Sequence, residues 1–198
     1  MTEGPRAAGQ RILGFAGSLR SGSYNRALLR AAAEEAPEGM TIETFDLVDI
    51  PLYNGDVEDR GDPASVAEFK AAIDRCDGVL ISTPEYQHSM SGVLKNALDW
   101  ASRPAGRSVM KGKPVAMVGA SPSPIGTARS HLQLRHTLNY LQADMVFRPE
   151  VLVSHARDKF DEEGRFTDET GRRLMSELLE ALAEKVATRN HIAASKRD

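Results

Sequence analysis

Residues 17–25 read GSLRSGSYN: two glycines, three serines, an arginine and an asparagine, set between an apolar run and a helix-forming stretch. Almost every group there can donate a hydrogen bond. Free N–H groups at a helix start, the positive end of the helix dipole, serine hydroxyls and the Arg20 guanidinium together make a cradle for a phosphate group. Ser18, Arg20, Ser23 and Asn25 are the side chains suited to it. Serine and glycine also turn chains and cap helices, so composition alone leaves that plainer use open. No lysine follows as in a P-loop, and the glycines do not follow the GxGxxG fingerprint of dinucleotide folds.

Two further loops carry unusual residues. In TPEYQHSMSGVLKNALDW, Thr83–Trp100, the X-Pro start calls for an extended segment before a helix. N–H groups around Glu85–Gln87 could bond the carbonyl and ring nitrogens of a flat heterocycle, with Tyr86 and His88 as packing edges; a flavin ring matches. His88 is equally well an ordinary loop histidine, and is assigned no role. Asn96 and Asp99 are expected to support this loop, and Trp100 to lie in the core. In GASPSPIGTARSHLQLRH, Gly119, Gly126 and two prolines make a tight loop that approaches a ligand closely, with Ser121 as its side-chain candidate. His131 and His136 are not one helical turn apart and lack nearby carboxylates, so no metal site is expected.

These loops need a frame. Ile12–Ala16 and Gly78–Ser82 are short apolar runs of the kind buried in parallel sheets, and Thr41–Leu47 and Pro114–Gly119 add two more strands. The last strand is expected from Met145–Phe147 with Val151–Val153, bent at Pro149. Helical spacing covers Tyr24–Glu35, Ala64–Cys76, Ser91–Ala101 and Ala128–Leu141, and a final helix starts near Thr167. The acidic, turn-rich stretch after the second strand reads as a long loop. Five strands alternating with helices predict an α/β three-layer sandwich, with a parallel sheet covered on both faces. In such sheets ligands bind beyond the carboxyl ends of the strands, where all three loops lie.

Bulk properties set outer limits. At 198 residues the chain is expected to form one domain, with a flexible leader at 1–10 and a polar tail at 190–198. It is 41% hydrophobic and 27% charged, ordinary for a globular protein. A net charge of −3 and no basic patch argue against nucleic acid as a partner. The single cysteine, Cys76, allows no internal disulfide and no cysteine metal cluster. With no apolar signal core and no membrane-length run, a cytoplasmic location is expected and a membrane partner is not. No GxSxG elbow or cysteine nucleophile stands at a strand end, which counts against a hydrolase.

Together GSLRSGSYN, PEYQHSMSGVLKNALDW and GASPSPIGTAR, in a span from Ile12 to about Val153, resemble the NADPH-dependent FMN reductase family, which includes bacterial chromate, quinone and azo-dye reductases. The resemblance implies a flavodoxin-like fold, strand order 2-1-3-4-5, bound FMN, and NADPH or NADH as donor. The electron acceptor would be small: a quinone, free flavin, azo compound or chromate. Ser18, Leu19, Arg20, Ser23, Tyr24 and Asn25 would surround the FMN phosphate and ribityl chain; Pro84, Glu85, Tyr86 and Gln87 would border the ring, with Ser121 approaching it. Two residues depart from the family pattern. Gln87 stands for the usual asparagine, and Ser91 replaces a common proline, which implies a looser turn. The resemblance also implies a homodimer or homotetramer; Arg135, His136 and Tyr140 are candidate contacts, or equally core positions. A flavodoxin-type electron carrier without its own substrate shares this fold and cofactor, and is the alternative reading.

Overall fold

The computed structural model describes residues 9–195. Strand β1 (Gln10–Ala16) lies at the centre of a parallel sheet with β2 (Met40–Phe45) on one side and β3 (Gly78–Ser82), then β4 (Pro114–Ala120), on the other. Beyond β4 the fifth lane is shared by two short strands. β5 (Asp144–Met145) pairs with Pro114 and Val115, and β6 (Val151–Val153) pairs with Val118–Ala120. The order is therefore 2-1-3-4-5, as expected. The last strand is interrupted around Pro149 because proline brings no N–H to a ladder.

Period-two alternation splits the core. Leu13, Phe15, Val79, Ile81, Val115 and Met117 point to one face, where they pack on helices α3 (Ala64–Arg75), α4 (Gly92–Ala101) and α5 (Ala128–Tyr140). Ile12, Leu80, Ala116 and Val118 point to the other, under α1 (Tyr24–Glu34) and α6 (Glu169–Ser195). Phe15 meets Phe69 edge-on at 5.3 Å, both fully buried. Each such ring contributes roughly 2–3 kcal/mol by leaving water. Trp100 is buried too, as expected.

At the ends of the chain the expectations need adjusting. Residues 1–8 and 196–198 of the expected leader and tail lie outside the described residues, but Gln10 already belongs to β1 and donates its N–H to Gly39 O at 2.7 Å. The stretch from 190 is helical through Ser195, as part of α6. The acidic loop after β2 contains a four-residue helix, α2 (Gly55–Glu58), capped by Asn54. It is held by α4: Asn96 accepts from Tyr53 N (2.8 Å) and donates to Pro51 O (2.8 Å), as does Trp100 Nε1 (2.8 Å). Asn96 thus supports the loop after β2, not the one after β3, and Asp99 forms a surface pair with Lys95. Helical spacing places both on the α4 side facing α2 or solvent.

Candidate functional site

A shallow cleft of about 70 Å³ opens at the carboxyl ends of β1, β3 and β4. Ser18, Arg20, Ser23, Tyr24, Asn25, Pro84, Glu85, Tyr86 and Ser121 line it, together with Ala120 and Pro122, which sequence reasoning did not single out. Leu19, 41% exposed, and Gln87 lie beside the cleft without lining it. Nine of the eleven expected residues therefore converge from three separate loops.

The loop after β1 presents its backbone. Gly17 N–H is used by Ser82 O (2.9 Å) and Ser23 N–H by Arg20 O (3.2 Å), but the N–H groups of residues 18–22, Tyr24 and Asn25 meet no acceptor among the described residues. Helix starts leave such donors orphaned. Ser23, which lines the cleft, caps α1 by accepting from Arg26 N. Arg20 is exposed and forms no ion pair among the described residues. A run of unused donors, an unpaired guanidinium and the Ser18 hydroxyl fit a phosphate.

Arg26 keeps this loop in shape, and sequence reasoning missed it. Its Nε donates to Ser18 O (3.2 Å) and its guanidinium pairs with Asp46 at the end of β2. Asn25 is a lock as well as a liner. Its Nδ2 donates to Ala120 O (3.0 Å), and its Oδ1 accepts from Ala120 N (3.0 Å) and Ser82 Oγ (3.1 Å). With the amide so engaged, Asn25 offers the cleft its backbone N–H.

After β3 the chain makes a two-residue turn. Tyr86 and Ser89 exchange N–H···O bonds of 3.0 Å, with Gln87 at φ 46° and His88 at φ 63° between them. Side chains rarely adopt this left-handed region, at a cost on the order of 1 kcal/mol each. The turn leaves the N–H groups of Gln87 and His88, like that of Glu85, without acceptors among the described residues. Tyr86 is 43% exposed at the rim. Unused donors beside an exposed ring suit the polar edge of a flat heterocycle, and the shallow cleft leaves one face of such a group open.

Two side chains tie the loops together. The Glu85 carboxylate accepts from Arg129 N (2.9 Å) and Ser130 N (3.1 Å), capping α5, whose own N-cap Thr127 forms no side-chain cap bond. Ser91, expected to loosen its turn, does the opposite. It is 2% exposed, accepts from Leu94 N (3.1 Å) and donates to Gly17 O (2.6 Å), so it stitches α4 to the phosphate loop. A serine just before a helix is itself the signal for this cap. At Gly119 a Cβ would lie 2.2 Å from Thr127 Oγ1 and 2.6 Å from Thr83 O, so only glycine lets β4 and α5 meet behind the cleft.

The histidines divide. His131, 1% exposed, is pushed down to about 4 by burial, and its Nε2 has no partner among the described residues. His136 and Tyr140 are exposed and Arg135 pairs with Glu150 at 2.8 Å, so these three are not core positions. Among the described residues no group of three His, Cys, Asp or Glu side chains is arranged to hold a metal. No helix among them is long and apolar enough to cross a membrane.

This doubly wound sheet, with an anion cradle at its switch point and a heterocycle rim above it, defines a flavodoxin-like nucleotide-cofactor protein. The family model for NADPH-dependent FMN reductase matches residues 10–158, and the chain belongs to that family. It is an oxidoreductase with FMN as cofactor and NAD(P)H as donor. It is 48% identical to an NAD(P)H-dependent FMN reductase of Pseudomonas aeruginosa, over 87% of this chain and 92% of that one. It is 41% identical to a 2-hydroxy-1,4-benzoquinone reductase of a Burkholderia species, over 87% and 94%. A flavoenzyme NAD(P)H:(acceptor) oxidoreductase of Paracoccus denitrificans superposes with a TM-score of 0.82 at 32% identity, covering 90% of this chain and 98% of that one.

Proposed function

We propose that this chain is a quinone reductase: NAD(P)H, a proton and a quinone become NAD(P)+ and a hydroquinone. The unpaired N–H groups of residues 18–22, Tyr24 and Asn25, in the loop that lines the cleft with Arg20, carry the reading. The chemistry supplied by bound FMN is two-electron exchange between nicotinamide and acceptor. Ser18, Arg20, Ser23 and the backbone of Leu19, Tyr24 and Asn25 hold its phosphate end. Pro84, Glu85, Tyr86 and Gln87 would border its ring, with the unpaired N–H groups of Glu85 and Gln87 as donors, and Ser121 would approach from the loop after β4. Donor and acceptor chemistry would come from the FMN, so no side-chain triad is required of the chain. Relatives named as quinone reductases support the acceptor class over azo compounds, free flavin or chromate.

The chain works in this reading as one FMN-binding unit in the cytoplasm, without nucleic-acid or membrane partners. A homodimer or homotetramer is supported by Leu132 and Tyr140, which stand 63% and 84% exposed on α5. The test is to purify the protein, identify any released flavin, and add NADPH and then 1,4-benzoquinone without oxygen. Bleaching by NADPH and recovery of colour with quinone supports the reductase. FMN that stays oxidised under NADPH replaces it with the flavodoxin-type carrier.

A further inference from the structure

A second groove, of about 460 Å³, lies on the other side of the phosphate loop, between α1 and residues 157–164. Ser23 and Tyr24 line both it and the cofactor cleft, so the two hollows share a wall. Its volume falls in the range that takes a nucleotide-sized ligand.

The lining has the parts such a ligand needs. Arg30 and Arg157 are both exposed and enter no ion pair among the described residues. Arg30 reaches across the groove: a Cβ placed on Gly164 would lie 3.7 Å from its Nη2. The acids nearby do not cancel both cations. Asp161 bonds Arg165 Nε at 2.7 Å and Glu163 bonds Arg165 Nη2 at 3.1 Å, so both carboxylates already have a partner. Glu162 is exposed and forms no ion pair among the described residues. The half-buried rings of Tyr24 and Phe160, 5.0 Å apart, supply an aromatic wall. A base can stack on such rings, ribose hydroxyls can bond a carboxylate, and guanidinium groups take phosphate.

We propose that this groove receives the adenosine-phosphate end of the donor, with Arg30 and Arg157 binding the 2′-phosphate that distinguishes NADPH from NADH. The inference rests on the reductase reading, because it needs a dinucleotide whose nicotinamide reaches the neighbouring cleft. Neither arginine lines the cofactor cleft, so the two sites can be tested apart.

The experiment titrates adenosine 2′,5′-bisphosphate into the FMN-loaded protein by calorimetry, for the parent chain, Arg30→Ala, Arg157→Ala, the double variant and Arg30→Lys. Released FMN and melting temperature are recorded for each. Binding in the parent, weakened about tenfold in each alanine variant, further in the double and partly restored by Arg30→Lys, supports the groove, provided that FMN content is kept. KM for NADPH then rises more than KM for NADH. Failure of the parent to bind the probe at millimolar concentration overturns the proposal, as does equal binding by the double variant. A parent that binds the probe through these arginines but never oxidises NADPH sinks the reductase and leaves a nucleotide-phosphate site. A double variant that oxidises NADPH with the parent KM sinks the groove alone.

Discussion

The carboxylate of Glu85 reaches the N-terminus of a helix more than forty residues away and accepts the N–H of Ser130 at 3.1 Å. Ser130 answers by donating its hydroxyl to Pro84 O at 2.8 Å, so the loop after β3 and the start of α5 hold each other by two reciprocal bonds. Glu85→Ala removes the helix cap and leaves two N–H groups unpaired. It is expected to cost about 1–2 kcal/mol in denaturant unfolding and to weaken FMN binding, since the ring-bordering backbone loses its anchor. Glu85→Gln keeps one acceptor and should lie between the two. Equal FMN affinity for alanine variant and parent, measured by fluorescence quenching, would detach this carboxylate from the cofactor loop.

Arg26 is expected to show the reverse balance. Its pair with Asp46 is half exposed, at 31% and 48%, so the ion pair contributes well under about 1 kcal/mol to folding. Its bond to Ser18 O nevertheless fixes the strand-to-helix loop that lines the cleft. Arg26→Ala should therefore leave unfolding nearly unchanged while weakening FMN about tenfold. Arg26→Lys should recover little, because an ammonium cannot hold both acceptors in a fork. Dissociation constants measured in dilute and in 0.5 M salt separate the two roles; the pair is screened by salt and the bond to Ser18 much less.

These two residues also mark how far the sequence could be read. Most strands could be placed from short apolar runs, because a strand buried on both faces leaves little choice of residue, whereas their order came only with the family resemblance. Nine of the eleven residues that line the cleft lie on loops expected at strand ends, two of them, Tyr24 and Pro84, named only through the resemblance. Glu85 and Asn25 were expected at the cleft, but not that their side chains would bond Ser130 N and Ala120. Those partners lie 45 and 95 positions away, and local periodicity carries no information about them. Arg26 was hidden because an arginine one turn into a helix resembles any solvated charge. The left-handed pair Gln87–His88 was hidden because neither residue is the asparagine or glycine that advertises such a turn.

Ser91 allows a test of the family's own preference. Its φ of −67° and ψ of 152° suit proline, and its N–H donates to no protein acceptor among the described residues. Ser91→Ala loses the bonds to Leu94 N and Gly17 O and is expected to cost about 1–2 kcal/mol. Ser91→Pro loses the same bonds but narrows the unfolded ensemble, which offsets roughly 0.4–1 kcal/mol. The proline variant should thus be the more stable of the two and less stable than the parent. A proline variant that unfolds before the alanine one would show that the ring does not fit against Gly17.

His131 gives the chain a pH dependence of known sign. Burial holds its folded pKa at about 4, against 6.5 when exposed, so the unfolded chain takes up a proton where the folded one refuses it. Stability from this residue is full above pH 6.5 and falls as the pH drops from 6.5 toward 4. Between pH 7 and pH 5 the loss is about 2 kcal/mol at ~1.4 kcal/mol per pKa unit. His131→Leu removes the titration and the unpaired Nε2 together, while the Val118 carbonyl keeps the Thr83 N–H at 2.9 Å. Carboxylates titrate in both proteins, so the informative quantity is the difference between them. Urea unfolding at pH 7, 6 and 5 should show the parent losing about 2 kcal/mol more than the variant. Parallel losses in the two proteins would mean that the folded ring accepts its proton near the ordinary value, and that α5 gives way there to let water in.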